Sequence, residues 1–570
     1  MTRTVAHLIA ERLVAQGVRR VYGLCGGHIQ PIWDAIDRAG IRIVDVRHEG
    51  AAVFMAQAES ELTGDLAVAL VTAGPGLTNA TTAIANASVS RSSVLVLSGR
   101  APRPQAGMSA MQDVPQAAIV APLCRRAEAV SEVHHVLPRL DAAIAAALGI
   151  GGGSTGPAYV DFPTDLQEAP VHAADAPPEA LRARRPVDVA PAADALAEAV
   201  ALIRRARRVV VIGGRPVRGA GPELRAFLSA SGALYLDSGE CRGTIREDTP
   251  AYVPAMRGRA MKEADLVVTL GRRLDFQLGY GSPAVFHPDA RFLRIGTCFE
   301  ETGENRRGDV ELVASVGLAL AALTAADATP ADPDTAWLDA TREANARRTA
   351  KLADTLADET AGADGRMHPY RLIAAVNERL SPDSVVVADG GDILSFCRVG
   401  VRTVDYLDCG ALGCLGVGVP FAISAALERP DQPVFAIVGD GSVGFTAIDI
   451  DTAVRHGARA VFVVANNEAW NIELRDQADR YDNLVGVELP GCRYDLLARA
   501  LGAHGERVEH AEELGPALDR ALANAPAVVD VLVTRDAISP DYSNGLALVP
   551  PRHALVTWNE AELARYAEPG

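Results

Sequence analysis

Two kinds of apolar pattern alternate along this chain. Val5 to Val14 and Ile32 to Ala39 place apolar residues at helical spacing, whereas Val18 to Leu24 and Ile41 to Val46 are short, continuous apolar runs. The order repeats with an alanine-rich helix opening at Glu49, the run LAVALVTA, a helix after GPGLTNA and the run SSVLVLSG. Continuous apolar runs predict strands buried on both faces, and strands separated by helices predict parallel sheets covered by those helices. The pattern restarts twice, first through RVVVIGG, ADLVVTLG and RFLRIG, then through SVVVADGG, PVFAIVGDG, ARAVFVVANN and AVVDVLVT. The proline- and alanine-rich APVHAADAPPEALRARRPVDVAPAAD divides the first set from the second, and AADATPADPDTAW with DETAGADGRMHP marks the next crossing between domains. The predicted fold class is α/β, with three doubly wound parallel-sheet domains at 1–175, 190–330 and 365–540 and a strandless tail at 541–570.

Composition then narrows the partners. The formal charge of −17 disfavours nucleic acid and anionic membrane, which leaves small molecules and further copies of the chain as expected partners. No apolar run reaches the ~18 residues that span a bilayer, and MTRTVAHLIAERLVAQGV reads as a first helix, not as a signal peptide. Eight cysteines are scattered without a CxxC pair, so reduced thiols in a cytoplasm and no zinc site are expected.

Two stretches carry candidate chemistry. Glu49 stands where an apolar strand passes into a helix, a position that suits an N-terminal carboxylate interacting with free amides as well as it suits a rigidly held acid. In VFAIVGDGSVGFTAIDIDTAVRHGARAVFVVANNEAW, two apolar runs end in Gly439-Asp440-Gly441 and Asn466-Asn467 with one helix between them. Asp440 and Asn467 are therefore expected at the same carboxyl edge of one sheet, where doubly wound folds bind ligands. Glycines allow backbone amides to approach an anion, and a carboxylate with an amide carbonyl suits a hard cation, so a magnesium-bound diphosphate fits. An ordinary Gly-Asp-Gly turn beside two loop asparagines fits the same letters.

The spacing of 27 positions from Asp440 to Asn467, followed by GLCGGHIQPIWDAI, RHEGAA, VTAGPGLTNATTAIANA and LDCGALGCLGVGVP elsewhere in the chain, resembles the acetolactate synthase-like superfamily of thiamine diphosphate enzymes. That superfamily includes benzaldehyde lyase and 2-hydroxyacyl-CoA lyase. The resemblance covers nearly the whole chain and implies a pyrimidine-binding domain, a central domain and a diphosphate-binding domain, with active sites shared between subunits of a homodimer or, more expectedly, a homotetramer. It implies thiamine diphosphate and Mg2+ as cofactors. Glu49 matches the glutamate at N1′ of the aminopyrimidine, where a carboxyl group promotes the imino tautomer that creates the cofactor's carbanion. Gly413 matches the glycine whose carbonyl meets the 4′-amino group, and Leu415 the wedge that bends the cofactor. Asp440, Asn467 and the carbonyl of Ala469 match the metal ligands. Asn79, Gly391, Gly439, Gly441, Ser442, Trp470 and Ile472 are the remaining cofactor-contact candidates.

The reaction is carried by more variable positions. His28 coincides with a proton-transferring histidine of benzaldehyde lyase, Gln112 with a substrate-pocket glutamine, and Glu473 with an acidic proton carrier of pyruvate decarboxylase. ADLVVTLGRRLDFQLGYGSP resembles a region of coenzyme A-using members, which makes Arg257, Arg259, Arg272 and Arg273 candidates for binding its phosphates bidentately. The leading expectation is a carbon–carbon lyase that cleaves a 2-hydroxyacyl-CoA to formyl-CoA and an aldehyde or ketone, or runs that condensation in reverse. The alternative is an acetolactate synthase-like or benzaldehyde lyase-like enzyme acting on 2-keto acids or acyloins. A regulatory paralogue without turnover is disfavoured because Glu49, Asp440 and Asn467 are all retained. The tail, apolar at Leu546, Leu548, Val549, Leu555, Val556 and Trp558, is expected to fold over the active-site mouth as a lid that excludes water.

Overall fold

The computed structural model describes residues 3–358, 360–545, 547, 560 and 563. The apolar runs form strands of three sheets in which every strand pair is parallel. The first holds β1 (Arg20–Gly23), β2 (Arg42–Asp45), β3 (Ala67–Val71), β4 (Val94–Arg100), β5 (Arg126–Ala129) and β6 (Ala158–Pro163), in the order β2-β1-β3-β4-β6-β5. The central sheet holds β7 (Val209–Gly213), β8 (Leu234–Leu236), β9 (Leu266–Leu270), β10 (Arg291–Gly296) and β11 (Val310–Val313), in the order β11-β10-β9-β7-β8. The last holds β12 (Val385–Asp389), β13 (Asp405–Asp408), β14 (Val434–Gly439), β15 (Ala460–Asn466), β16 (His504–Val508) and β17 (Ala527–Leu532), in the order β13-β12-β14-β15-β17-β16. The last sheet thus repeats the strand order of the first. In each, the direction of winding reverses between the first and third strands, which opens a crevice at the carboxyl edge.

Six strands lie outside the apolar runs picked out above, and five of them (β5, β8, β11, β13, β16) are sheet edges. An edge strand is covered on fewer sides, so segments such as RAEA in β5 and HGERV in β16 need no unbroken apolar run. The crossing at 325–367 differs from a linker in another way. Most of it is one 23-residue helix, Thr335–Ala357, which is capped at its start by Asp334 accepting from the Trp337 amide. Among the described residues, no helix is long and apolar enough to cross a membrane.

The first and last units share one apolar core. Helix Glu49–Thr63, with buried Ala51, Ala52 and Ala56, packs on helix Gly418–Glu428, with buried Gly418, Ala422, Ala425 and Ala426, and Phe54 lies edge-on to Phe421 at 6.3 Å between ring centroids. Ser424 donates to the Met55 carbonyl at 2.8 Å, and the Tyr22 hydroxyl donates to Glu59 at 2.6 Å. Small side chains let the helix backbones approach, and buried polar atoms fix their register. The central unit is tied to the first by ion pairs, Arg91 to Glu301 and Arg215 to Glu61, each at 2.7 Å.

Candidate active site

A cleft of about 320 Å³ lies at the carboxyl edge of the last sheet, in the crevice between β12 and β14. Gly391 follows β12, Gly413 and Leu415 follow β13, Gly439 to Ser442 end β14, and Asn467 to Glu473 follow β15; all contribute to its walls. A Cβ on Gly441 would stand 2.4 Å from the Trp470 ring, and one on Gly391 would stand 2.8 Å from Ile472. Gly413 adopts φ 69°, the left-handed region that glycine enters without strain. These close approaches leave room for a ligand against bare backbone. Ser442 turns its hydroxyl back to the Gly439 carbonyl, closing the turn from below.

Asp440 is buried to 3% exposure, and its Oδ2 has no hydrogen-bond partner. Burial pushes its carboxyl up to about 7, although the amides of Gly441, Ala469 and Glu468 pull against that shift. A buried carboxylate oxygen without a donor is costly unless a cation completes it. Asn467, 7% exposed, directs its Oδ1 to the Ala469 amide, which gathers Asp440, Asn467 and Ala469 at one point of the cleft. One carboxylate, one amide oxygen and one main-chain carbonyl form an oxygen set suited to Mg2+, with the open positions left for phosphate oxygens. The residues fit a metal-bound diphosphate. Asp389, at the end of β12, takes the amides of Gly416 at 3.0 Å and Gly418 at 2.9 Å and so anchors the loop that carries Gly413 and Leu415. The sequence contained a signal for it, since ADGG repeats the carboxylate-then-glycine ending of VGDG.

Glu49 lies elsewhere. It follows β2, is 6% exposed, and receives a 2.9 Å hydrogen bond from the Asn79 amide. It is not the helix cap, because the His48 side chain accepts from the Gly50 amide in that role. The same sheet edge gathers the other candidates of the first unit. Gly26, beside His28, packs on Thr72; Gly99 packs on the His28 carbonyl; and Gly74 packs on Gln112, which itself sits at φ 60°. The His28 Nδ1 is buried without a partner. The walls of the cleft contain no residue before Phe276, so Glu49, Asn79, His28 and Gln112 form a second group, separate within one chain.

Glu473 lies in the first turn of helix Asn471–Tyr481, lines the cleft and pairs with no other described residue. The four candidate arginines differ in their surroundings. Arg272 is fully buried in an ion pair with Asp275 at 2.8 Å and also faces Glu240; Arg273 pairs with Glu304 at 3.1 Å and Arg259 with Glu263 at 2.9 Å. Each of these three charges is thus paired with a carboxylate of the same chain. Arg257 alone of the four has no carboxylate partner among the described residues. It donates to the Gln277 carbonyl at 3.1 Å, and burial, reinforced by Arg272, holds its pKa below the usual arginine range. Gln277 and Phe276 bring the central unit into the cleft wall, a contribution that no local pattern announced. At the tail, Asp541 and Ala547 also line the cleft, and Asp541 pairs with Arg398 at 3.3 Å. The apolar tail positions Leu546, Leu548, Val549, Leu555, Val556 and Trp558 lie outside the described residues.

Known proteins match this arrangement along the chain. Residues 3–119 match the thiamine pyrophosphate enzyme N-terminal TPP binding domain, 196–323 the central domain and 395–531 the C-terminal TPP binding domain. A probable acetolactate synthase of Mycobacterium bovis is 35% identical over 556 residues, covering 95% of this chain and 98% of that protein. The 2-hydroxyacyl-CoA lyase 2 proteins of Caenorhabditis elegans and Homo sapiens are each 32% identical, over 577 and 583 residues, covering 92% of this chain and 89% of theirs. With thiamine pyrophosphate-binding domains at both ends and these relatives along most of its length, the chain belongs to the acetolactate synthase and 2-hydroxyacyl-CoA lyase family of thiamine diphosphate-dependent enzymes.

Proposed function

We propose that the protein is a thiamine diphosphate- and Mg2+-dependent carbon–carbon lyase or carboligase in which Glu473 carries the substrate proton. The observation behind this reading is a carboxylate, Glu473, unpaired among the described residues, on the wall of the same cleft as the metal-suited Asp440, Asn467 and Ala469. When bound, the cofactor supplies a carbon nucleophile and stores the electrons of the broken bond. The chain's own part is division of labour. Asp440, Asn467 and the Ala469 carbonyl would hold the metal, Gly439 to Ser442 and Gly391 would leave room for the diphosphate, and Leu415 would pack against the cofactor from the same cleft wall. Glu49, whose carboxylate Asn79 holds at 2.9 Å, would be the group that gives and takes a proton at the cofactor's pyrimidine. Because the Glu49 group lies apart from the cleft within one chain, a complete site needs two subunits, which supports a homodimer as the minimum and agrees with a homotetramer.

For the substrate, the reading that leads is a 2-hydroxyacyl-CoA cleaved to formyl-CoA and an aldehyde or ketone. It rests on Arg257, an unneutralised guanidinium one hydrogen bond from the cleft wall and available to a thioester's phosphate. The second reading, a carboligase or decarboxylase of 2-keto acids, is favoured by the internal pairing of Arg259, Arg272 and Arg273. Turnover of acyl-CoA and 2-keto acid panels, read by product mass, separates them. Under the thioester reading, Arg257→Ala raises KM for acyl-CoA about tenfold, as expected for loss of ~1.4 kcal/mol of binding. Consumption of 2-keto acids alone, unaffected by Arg257→Ala, establishes the second.

A further inference from the structure

Gln116 is only 2% exposed, and its amide is fully engaged in the first unit. Its Oε1 accepts from the Gly74 amide at 2.6 Å, while its Nε2 donates to the Gly99 carbonyl at 2.9 Å and to the Tyr159 hydroxyl at 2.8 Å. Each backbone partner seats a different candidate group. Gly74 caps helix Pro75–Ser90, whose Asn79 holds Glu49, and a Cβ on Gly74 would stand 2.7 Å from the Gln112 carbonyl. Gly99 lies so close to the loop of His28 that a Cβ there would stand 2.1 Å from the His28 carbonyl. That carbonyl is held from the opposite side by Gln167 at 2.7 Å. Behind Gln116, the Tyr159 hydroxyl continues to Asp161 at 3.2 Å, and Asp161 faces Arg100 at 3.4 Å. Gln116, Asp161 and Arg100 share the wall of a second cavity of about 460 Å³, so the amide is not held in place by dense packing on every side.

We propose that Gln116 is a positioning residue that fixes the relative placement of the His28, Gln112 and Asn79–Glu49 loops through one buried amide. It touches none of these side chains directly. Its acceptor sets the Gly74 pivot and its donor sets the Gly99 seat, so one side chain ties the loop after β3 to the carboxyl end of β4. Such a role makes turnover more sensitive to Gln116 than cofactor binding is, because the diphosphate cleft lies on the other sheet. Misplacement of a catalytic group by ~1 Å can cost ~10²-fold in rate. The inference rests on the reading of Glu49 and His28 as active-site groups.

The test uses the full-length holoenzyme, with turnover expressed per bound thiamine diphosphate. Gln116→Met keeps the side-chain volume and removes the amide; Gln116→Asn keeps the amide on a side chain one methylene shorter and guards against a Met variant that does not fold. Tyr159→Phe removes only the chain behind the amide. We expect Gln116→Met to lower kcat at least tenfold, Gln116→Asn to lower it by a smaller factor, and Tyr159→Phe to stay within twofold, with cofactor affinity within threefold in all three. Wild-type kcat per bound cofactor in Gln116→Met overturns the proposal, and so does an equal loss in Tyr159→Phe. Glu49→Gln, assayed in parallel, separates this failure from failure of the reading beneath it, since an active Glu49→Gln enzyme removes the Glu49 assignment whatever Gln116 does.

Discussion

The first and last sheets have the same strand order, and their equivalent loops carry opposite chemistry. After the second strand, the first unit presents Glu49 and the last presents Gly413 and Leu415; after the third, Thr72 to Gly76 corresponds to Asp440 to Ser442; after the fourth, the loop reaching Gln112 corresponds to Asn467 to Trp470. One oxygen of the Glu49 carboxylate accepts from the Asn79 side-chain amide at 2.9 Å. Asp440, equally buried, has one oxygen with no hydrogen-bond partner among the described residues. The difference shows that a topology supplies only the crevice. Whether that crevice tunes a proton or holds a cation is decided by what stands next to the carboxylate.

The two edges can be separated by mutation. The largest effect is expected from Glu49→Gln, which should lower turnover by ~10²- to 10⁴-fold while thiamine diphosphate affinity stays near that of the wild type. Proton exchange at C2 of the bound cofactor, followed by NMR, checks it; an unchanged exchange rate would sink the assignment. Asp440→Ala should do the reverse, weakening cofactor binding by ~10- to 100-fold with partial recovery in excess Mg2+. Titration calorimetry with and without a chelator reads that change, and native affinity in the variant would break the contrast between the edges.

A pH effect sharpens the comparison further. In the metal-free protein, the Asp440 carboxyl is pushed up from 3.8 to about 7, so between these values the folded state holds a proton that the unfolded chain has released. Stability from this group therefore falls as pH rises through that window and levels off above about 7. Asp440→Asn should remove this contribution, so that the wild type loses a few °C relative to the variant between pH 5 and pH 7, given ~2–4 °C per kcal/mol for domains of this size. Thermal melting of metal-free protein at both pH values is the measurement; parallel curves would show that Asp440 titrates normally. The smallest effect is expected from Arg259→Ala, outside both edges. Removing its i,i+4 pair with Glu263 should change stability by no more than ~0.5 kcal/mol and leave turnover unchanged. A large loss of acyl-CoA turnover would return Arg259 to the substrate site.

Much of this was legible in the chain because it depends on local order. Unbroken apolar runs specify buried parallel strands, and a strand that ends in Gly-Asp-Gly must present its carboxylate at the sheet's carboxyl edge, as Asp440 does. The Glu49 junction was readable for the same reason, although the letters did not separate a cap from a held acid until His48 was found in the capping role. The edge strands were not legible, because partial exposure releases them from an apolar pattern. The surroundings of the arginines were not legible for a different reason: sequence records that Arg259, Arg272 and Arg273 exist but not that Glu263, Asp275 and Glu304 pair with them. Pairing across the fold depends on distances that the chain sets only once its helices and sheets have packed. The same is true of Gln277 at the cleft and of Gln116 between two loops. Sequence by itself determined the three sheets and the carboxylates at their edges; tertiary structure alone decided which of those charges are satisfied, since burial and partners are properties of the packed molecule.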